Sequence, residues 1–230
     1  MHIKRAAAIL LALACLLSLC ACPGGESGTD ALTLSRTAPG TYRCEETGVT
    51  YTRVADTYLP ARMTRAPYAT YTDNSGSVTS YFKLGPDSAQ NYLVQADPTD
   101  FYPGSFLVAE GYDMPTLAEM DPDEIWICGA DSEVFWAEAN VYSKMLYSDR
   151  VDAVVAAYEE NWICDALPDG IPEVCVQLIF RSPFYTEFYY YCTYYSFGEG
   201  QCFLYEFETM HCVRVPDGLF NGYALTPDEL

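Results

Sequence analysis

The strongest constraint on how this chain can fold lies near its C-terminus, where four strand-like segments follow one another between residues 171 and 215. The segments 171–180, 184–196, 201–208 and 211–215 are rich in Tyr, Phe, Val and Cys, which are residues that favour β-strands. Turns that contain Pro or Gly separate the first three segments, and a very short turn separates the last two. Because short turns join neighbouring antiparallel strands, this pattern predicts an antiparallel β-meander over about 171–215.

Side-chain alternation divides the predicted meander into two faces. The more apolar face, which we expect to form the core, takes Val174, Val176, Leu178, Phe180, Phe184, Phe188, Tyr190, Cys192, Tyr194, Phe203, Tyr205, Phe207 and Cys212. The opposite face takes Glu187, Leu204 and Glu206. In this register no two cysteines lie directly opposite each other, so the sheet predicts no disulfide between neighbouring strands.

Four tyrosines of the second strand lie two or four residues apart on that opposite face. They are Tyr185, Tyr189, Tyr191 and Tyr195. Rings displayed in this way make a stacking platform for the faces of sugars or for the apolar groups of a protein partner. These four residues are the candidate binding site, with a glycan or a protein as the ligand. The alternative is that this face is buried too, against the N-terminal part of the chain.

A helix is predicted at about residues 149–161, ahead of the meander. Asp149 is a favourable N-cap, and apolar residues follow it at helical spacing, namely Val151, Val154, Val155 and Tyr158. The other side of this helix is acidic and therefore solvated. We expect the apolar side to pack on the apolar face of the meander.

Two hairpins are predicted nearer the N-terminus. Segments 41–44 and 49–53 flank one Gly-containing turn, and segments 67–72 and 78–84 flank another. Hairpins, an amphipathic helix and a meander together indicate an α+β fold, in which helices cover one face of a sheet. We expect a single globular domain over residues 41–230, which is long enough to bury a sizeable core.

The first 21 residues have the organisation of a signal peptide. Lys4 and Arg5 form a short basic region, and residues 6–21 are an uninterrupted run of small and apolar residues. That run is shorter than the roughly 20 residues that a permanent transmembrane helix needs. An export signal therefore explains it better than a membrane span.

The end of the leader, Leu19-Cys20-Ala21-Cys22, resembles the lipobox of bacterial lipoproteins. The resemblance implies cleavage before Cys22 and a diacylglyceryl thioether on its sulfur. Such a lipid would hold the protein at the extracytoplasmic face of the bacterial cell membrane. Cys20 departs from the Ser or Ala that is more usual at that position, and a competing register would lipidate Cys20 after the bulky Leu19. An ordinary cleaved signal peptide is the remaining alternative.

Residues 22–40 are predicted to form a flexible tether because Gly, Ser, Thr and Pro predominate there. The chain has a formal net charge of −20, and loss of Lys4 and Arg5 with the leader takes the charge to −22. Such a charge repels polyanions, which excludes nucleic acid as a partner. The membrane would be reached through the lipid anchor and not through attraction to anionic lipids.

Residues that metal sites and nucleophilic catalysis need are scarce. Ten cysteines leave seven beyond the leader, which are Cys44, Cys128, Cys164, Cys175, Cys192, Cys202 and Cys212. No Cys-x-x-Cys pair occurs, and His211 is the single histidine of the mature chain. Neither a zinc site nor a Ser–His or Cys–His nucleophile is indicated, and we expect no metal and no cofactor.

These observations favour a non-catalytic binding or envelope-interaction module. Carboxylates are the only abundant side chains that could act in catalysis, since Asp and Glu number 32. The alternative function is therefore a carboxylate-dependent glycoside hydrolase or another envelope hydrolase. Its candidate acids are Glu187, Glu206 and Glu208, because they share the tyrosine face of the predicted meander.

Overall fold

The structure, a computed structural model, describes residues 31–54, 58–84, 90–96, 103–129, 141–159, 166–207, 209–226 and 228. Residues from Leu32 onward form one compact unit. The elements are β1 (Leu32–Ala38), β2 (Thr41–Cys44), β3 (Thr50–Arg53), β4 (Tyr58–Pro60), β5 (Ala69–Thr72), β6 (Val78–Lys83), β7 (Tyr92–Ala96), β8 (Pro103–Ala109), α1 (Leu117–Met120), β9 (Glu124–Gly129), β10 (Val141–Met145), α2 (Ser148–Glu159), β11 (Val174–Arg181), β12 (Phe188–Ser196), β13 (Cys202–Tyr205) and β14 (Cys212–Val215). The leader with Cys22, as well as Cys164 and Glu208, lies outside the described residues.

Seven strands of the N-terminal half form a closed barrel in the order β1-β2-β3-β8-β7-β6-β5. The two predicted hairpins are confirmed as β2–β3 and β5–β6. They are not separate hairpins on a meander, however, because β7 and β8 link them and β1 completes the ring. The ring closes through parallel pairing of β1 with β5, where Leu32 lies opposite Ala69. Closure gives each strand of the ring two partners.

The tether predicted over residues 22–40 is wrong in its second half. Residues Leu32–Ala38 form β1, which pairs with β2 on one side and with β5 on the other. The sequence of this segment is mostly polar because most of its side chains face solvent. Leu34, in contrast, is 3% exposed and points into the barrel. The barrel therefore begins ten residues after Cys22.

Side-chain alternation lets the barrel fill its interior and also pack against a second sheet. On β6 and β8, Tyr81 and Leu107 point into the barrel and are almost fully buried. Their neighbours Phe82 and Phe106 point outward and join the core that the barrel shares with the second sheet. One wall of the barrel is therefore apolar on both sides.

The second sheet has the strand order β10-β9-β11-β12-β13-β14, with β4 paired to the start of β12. The predicted meander is confirmed for β11–β14, since each consecutive pair of these strands is antiparallel. The predicted sorting of the β11 and β12 side chains onto two faces is also confirmed, although the strands are shifted by six residues from the register that the turn 181–183 would set, since Phe180 lies opposite Tyr190 and not Phe184. Leu178 lies opposite Cys192, and both side chains are buried on the core face.

The predicted register between β12 and β13 is wrong by one residue. Tyr194 pairs with Leu204, so Leu204 and not Phe203 shares the core face. The cause is the connecting loop 197–201, which has one residue more than expected and in which three consecutive residues have φ angles between 51° and 79°. A slip of one residue exchanges the two faces of a strand, and Glu206 is thereby turned toward the core. The slip moves Phe203, Tyr205 and Cys212 to the opposite face.

The helix α2 packs on the core face of the second sheet, as predicted. Val151 and Val154 are fully buried, and Tyr158 is nearly so. The helix begins at Ser148, so Asp149 lies in its first turn instead of serving as the N-cap. A carboxylate in the first turn still interacts favourably with the helix dipole.

One core joins the barrel to the second sheet. Phe188, at the start of β12, meets the rings of Tyr58, Tyr92 and Phe106 at centroid distances of 5.6, 5.6 and 6.4 Å. Tyr92 and Phe106 belong to barrel strands, so aromatic rings interlock across the junction. The α+β class holds in outline, since the described residues are mostly β with two helices, while the N-terminal hairpins are corrected to a seven-stranded closed barrel.

The six described cysteines are thiols, and they are Cys44, Cys128, Cys175, Cys192, Cys202 and Cys212. Five of them are buried, and Cys175 is half-buried. Burial raises the pKa of the Cys128 thiol to about 12 and raises that of Cys192 as well. These buried thiols therefore stay protonated and pack as small apolar side chains.

Alkylation is expected to separate Cys175 from the buried cysteines. Because the thiolate is the reactive form, iodoacetamide at about pH 8 should modify Cys175 in the folded chain at least about tenfold faster than Cys192. Mass spectrometry of the digested chain measures each cysteine separately, and unfolding in urea is the control that should equalise the rates. Equal rates in the folded chain would contradict the burial described above.

Candidate functional site

A cleft opens where the loop before α1, the end of α2 and the second sheet meet. Its volume is about 530 Å³, which is within the range of sites for small ligands. Five of the residues that line it are buried, namely Leu117 and the four that carry polar groups and form its floor, Tyr58, Tyr158, Tyr190 and Glu206. More exposed residues, including Asp113, Thr116, Glu159, Thr209 and His211, surround the floor.

Glu206 is the centre of the floor. It follows β13, and its main-chain N–H donates to the carbonyl of His211 at 2.9 Å across the β13–β14 connection. The residue is 5% exposed. Its Oε1 accepts hydrogen bonds from the hydroxyls of Tyr158 and Tyr190, and its Oε2 accepts one from Thr209 Oγ1 at 2.5 Å. A buried carboxylate is thus held by three hydroxyl donors.

The two tyrosines that hold Glu206 come from different elements. Tyr158 lies in the last turn of α2 and Tyr190 in β12, and their hydroxyl oxygens are 2.8 Å apart. Burial first, and then the neighbouring Glu206 carboxylate, raise the pKa of Tyr158 far above its usual value. Both causes disfavour the phenolate, so the Tyr158 hydroxyl keeps its proton and continues to donate to Glu206.

Further rings fix the position of these tyrosines. Tyr58, from β4, meets Tyr190 edge-to-face at a centroid distance of 5.5 Å, and Tyr158 meets Tyr190 at 6.0 Å. The ring of His211 lies 5.0 Å from that of Tyr158. The Tyr58 hydroxyl donates to the carbonyl of Pro115 at 2.6 Å and so ties β4 to the loop before α1. Contacts on several sides therefore hold the floor in one arrangement.

The short helix α1 fixes the loop that carries Asp113. Thr116 caps the helix, because its Oγ1 accepts from the N–H of Glu119 at 3.2 Å while Glu119 Oε2 accepts from the N–H of Thr116 at 2.8 Å. Accepting that backbone hydrogen bond lowers the pKa of Glu119. Leu117 and Met120 anchor the other side of the helix in the core. The wall of the cleft is thus built from a capped turn and not from a free loop.

The formally charged side chains at the cleft are acidic. Asp113 and Glu159 are exposed at its edge, and Glu206 is buried in its floor. No Lys or Arg is among the described residues that line it. Three carboxylates can stabilise positive charge and accept hydrogen bonds, and aromatic rings line the same cleft.

The four predicted binding tyrosines are half-buried, and one of them does not lie on the same face of the sheet as the other three. Tyr189, Tyr191 and Tyr195 lie on the face of the second sheet that points away from α2. Tyr185 precedes β12 and packs against the main core, with its ring 5.7 Å from that of Phe188. The expected row of four rings on one strand face is therefore corrected to three. A binding role for these tyrosines stays a prediction.

Side chains of the protein itself already engage part of that outer face. The Arg181 guanidinium lies 4.5 Å from the centre of the Trp126 ring, and Lys144 Nζ lies 4.2 Å from it. Arg181 also lies over Tyr189 at 5.6 Å and forms an ion pair with Glu124 at 2.7 Å. Because these cations and rings satisfy each other, the cleft is the better candidate for a ligand.

The acids proposed for a hydrolase do not share one sheet face. Glu206 points to the core side, whereas Glu187 lies half-buried just before β12. The sequence reasoning placed Tyr158 and Tyr190 on faces that pack together, so their meeting could have been foreseen. It missed Glu206 because of the register slip. Side-chain polarity could not have revealed the slip, because Cys202, Phe203 and Leu204 are all apolar and all buried, so both faces of β13 are covered.

No protein-family model, curated protein or solved structure matches this chain. In the described ranges, no helix combines the length and the apolar character needed to cross a membrane. Nor does any group of three or more His, Cys, Asp or Glu side chains in that part of the chain lie in an arrangement that could hold a metal ion. Inference about function therefore depends on the cleft and on the leader sequence.

Proposed function

We propose that this protein is an exported bacterial lipoprotein whose domain binds a ligand in the cleft around Glu206 without converting it. The observation that carries the binding role is the floor of the cleft. Buried hydrogen bonds there fix two tyrosines and a carboxylate beneath an open volume of about 530 Å³. A floor that is fixed before the ligand arrives lowers the entropy cost of binding.

The surroundings of Glu206 support binding more than catalysis. Its two carboxylate oxygens already accept hydrogen bonds from Tyr158, Tyr190 and Thr209. Three of its roughly four acceptor positions are thus occupied, so the carboxylate is better placed to hold a donor of a ligand than to attack a substrate or to exchange a proton with it.

A lipid anchor at Cys22 supports a role at the cell envelope. Nine residues lie between Cys22 and Leu32, the first residue of β1. The ten Cα-to-Cα steps from Cys22 to Leu32 span at most about 35 Å when the chain is fully extended. Two or three acyl chains hold a protein stably at a membrane, whereas a single chain binds reversibly. The domain would then meet its ligand at the extracytoplasmic face of the bacterial cell membrane.

Cys22→Ser is expected to release the protein from the membrane. When the chain is produced in bacteria, most of the variant should appear in the soluble extracytoplasmic fraction, because the sulfur that carries the lipid is gone. Mass spectrometry of the unaltered protein should show an N-terminal Cys22 with a diacylglyceryl thioether. Cys20→Ser is the matched control and should change neither result. Lipid on Cys20, or a mature chain that still begins at Met1, would contradict the proposal.

A hydrolase is the alternative function, because Asp113 and Glu159 line the same cleft as Glu206. Equilibrium dialysis distinguishes the two functions, with the full chain on one side and a soluble envelope extract from the cells that make it on both sides. A binding module should concentrate one component on the protein side with its mass unchanged. Fragments that form with the unaltered chain but not with Glu206→Gln would establish hydrolysis, and retention of no component would also overturn the proposal.

A further inference from the structure

We propose that the ligand of the cleft is a small organic cation that carries a quaternary or primary ammonium group. This inference rests on the proposed binding function and adds the chemical class of the ligand. Two independent features lead to it. One is a buried carboxylate that is held by hydroxyls alone, and the other is a floor of rings whose hydroxyl protons are already used.

The carboxylate of Glu206 has no cationic partner within the described ranges. The ion pairs seen there join Glu124 to Lys144 and to Arg181, on the outer face of the second sheet. Hydroxyl donors stabilise a buried carboxylate but do not neutralise its charge. An ammonium group in the cleft would do so. A carboxylate has about four acceptor positions, and three are used, which leaves one on Oε2 for a donor from the ligand.

The tyrosines of the floor present acceptors to a ligand. Tyr158 and Tyr190 donate their protons to Glu206, and Tyr58 donates its proton to the carbonyl of Pro115. The oxygens of Tyr158 and Tyr190 therefore offer lone pairs, and the electron-rich rings of all three tyrosines line the cleft. A ligand that donates hydrogen bonds or spreads positive charge fits this floor, whereas a carboxylate or a phosphate does not.

The edge of the cleft also favours a ligand that carries positive charge. Asp113 and Glu159 are exposed there, and Thr116 and Thr209 donate their hydroxyl protons to Glu119 and Glu206. The mature chain has a net charge of −22 once Lys4 and Arg5 are lost with the leader. Carboxylates that converge on a cleft raise the local concentration of cations. A neutral sugar would gain nothing from this charge.

The test is a calorimetric titration of the full chain, purified in a non-ionic detergent, with choline, ethanolamine and 3,3-dimethylbutan-1-ol. The alcohol has the shape of choline with a neutral carbon in place of the nitrogen. At least one of the two ammonium compounds is expected to bind about tenfold or more tightly than the alcohol. The order of choline and ethanolamine then tells whether contact with the rings or hydrogen bonding to Glu206 contributes more.

Variants locate the binding in the cleft. Asp113→Asn and Glu206→Gln should each weaken binding of the preferred ammonium compound about fivefold or more, since each removes a carboxylate charge from the site. Asp152→Asn is the matched control, because Asp152 is exposed on α2 and is not part of the cleft. It removes the same charge and should change the affinity less than about twofold. Asp113 is exposed as well, so its variant tests the inference even where Glu206→Gln loses stability.

Three results would overturn the inference. They are binding of the alcohol as tightly as the tighter-binding ammonium compound, no binding of either ammonium compound, and a loss of affinity in Asp152→Asn that equals the loss in Asp113→Asn. The binding function would survive each of them if dialysis of the envelope extract shows a component retained with its mass unchanged, because that experiment assumes nothing about ligand charge. Failure of both experiments would overturn the binding function too.

Discussion

Phe188→Ala is expected to lower the free energy of unfolding by about 3–5 kcal/mol, which is the range for truncating a buried phenylalanine. The ring is 1% exposed and packs among Tyr58, Tyr92, Tyr185 and Phe106. These neighbours come from the barrel and from the second sheet, so the cavity would lie at their junction. Urea denaturation followed by circular dichroism measures the loss.

Phe184→Ala is the matched control for this prediction. Phe184 lies four residues earlier in the chain and is 70% exposed, so its truncation should change stability by less than about 0.5 kcal/mol. Native-state hydrogen exchange adds a second readout. Because one core joins the two sheets, Phe188→Ala should lower protection in barrel strand β7 and in sheet strand β11 by the same free energy. A barrel that keeps its full protection while β11 loses it would show that the two parts unfold independently.

Glu206→Leu is expected to lower the free energy of unfolding by about 2–4 kcal/mol. Leucine has a similar size but cannot accept a hydrogen bond from Tyr158, Tyr190 or Thr209. The two tyrosine hydroxyls can still bond to each other across 2.8 Å, which limits the loss to one unsatisfied buried donor and a disturbed turn. Thermal and urea denaturation should agree on the change.

Glu159→Leu separates this effect from a general effect of removing an acid. Glu159 lines the same cleft but is exposed at the end of α2, and its replacement should change stability by less than about 0.5 kcal/mol. Equal stability of Glu206→Leu and the unaltered chain would mean that the buried network contributes nothing to the fold. The cleft floor would then not be preorganised in the way that the binding proposal requires.

Local signals predicted the parts of the fold that short-range physics determines. Gly-containing turns marked the hairpins β2–β3 and β5–β6, and helical spacing of Val151, Val154 and Tyr158 marked the buried side of α2. Closure of the barrel had no such signal. It depends on the parallel pairing of Leu32 with Ala69, which are far apart in sequence, and on a polar strand that resembled a tether. Long-range pairing of this kind leaves no periodic trace in either segment.

The sequence predicted only part of the candidate site, for a related reason. Tyr158 and Tyr190 were expected on faces that meet, and they do meet. The position of Glu206 depends on the loop 197–201, which has one residue more than expected and contains three residues with left-handed φ angles. The extra residue places every residue that follows on the opposite face of the sheet. The row of tyrosines was the more visible pattern in the sequence, but half-burial and internal cation–ring contacts make it the weaker candidate in the structure.

The most direct measurement is an aromatic ¹H–¹³C correlation spectrum of the full chain during titration with choline, with ethanolamine titrated in parallel. Signals assigned by Tyr→Phe variants should show that Tyr58, Tyr158 and Tyr190 shift together with one affinity. Signals of Tyr189, Tyr191 and Tyr195 should stay in place, because these rings lie on the other face of the second sheet. Shifts confined to that outer face would contradict the assignment of the cleft as the binding site, and no shift of the cleft tyrosines with either compound at saturating concentration would contradict an ammonium ligand there.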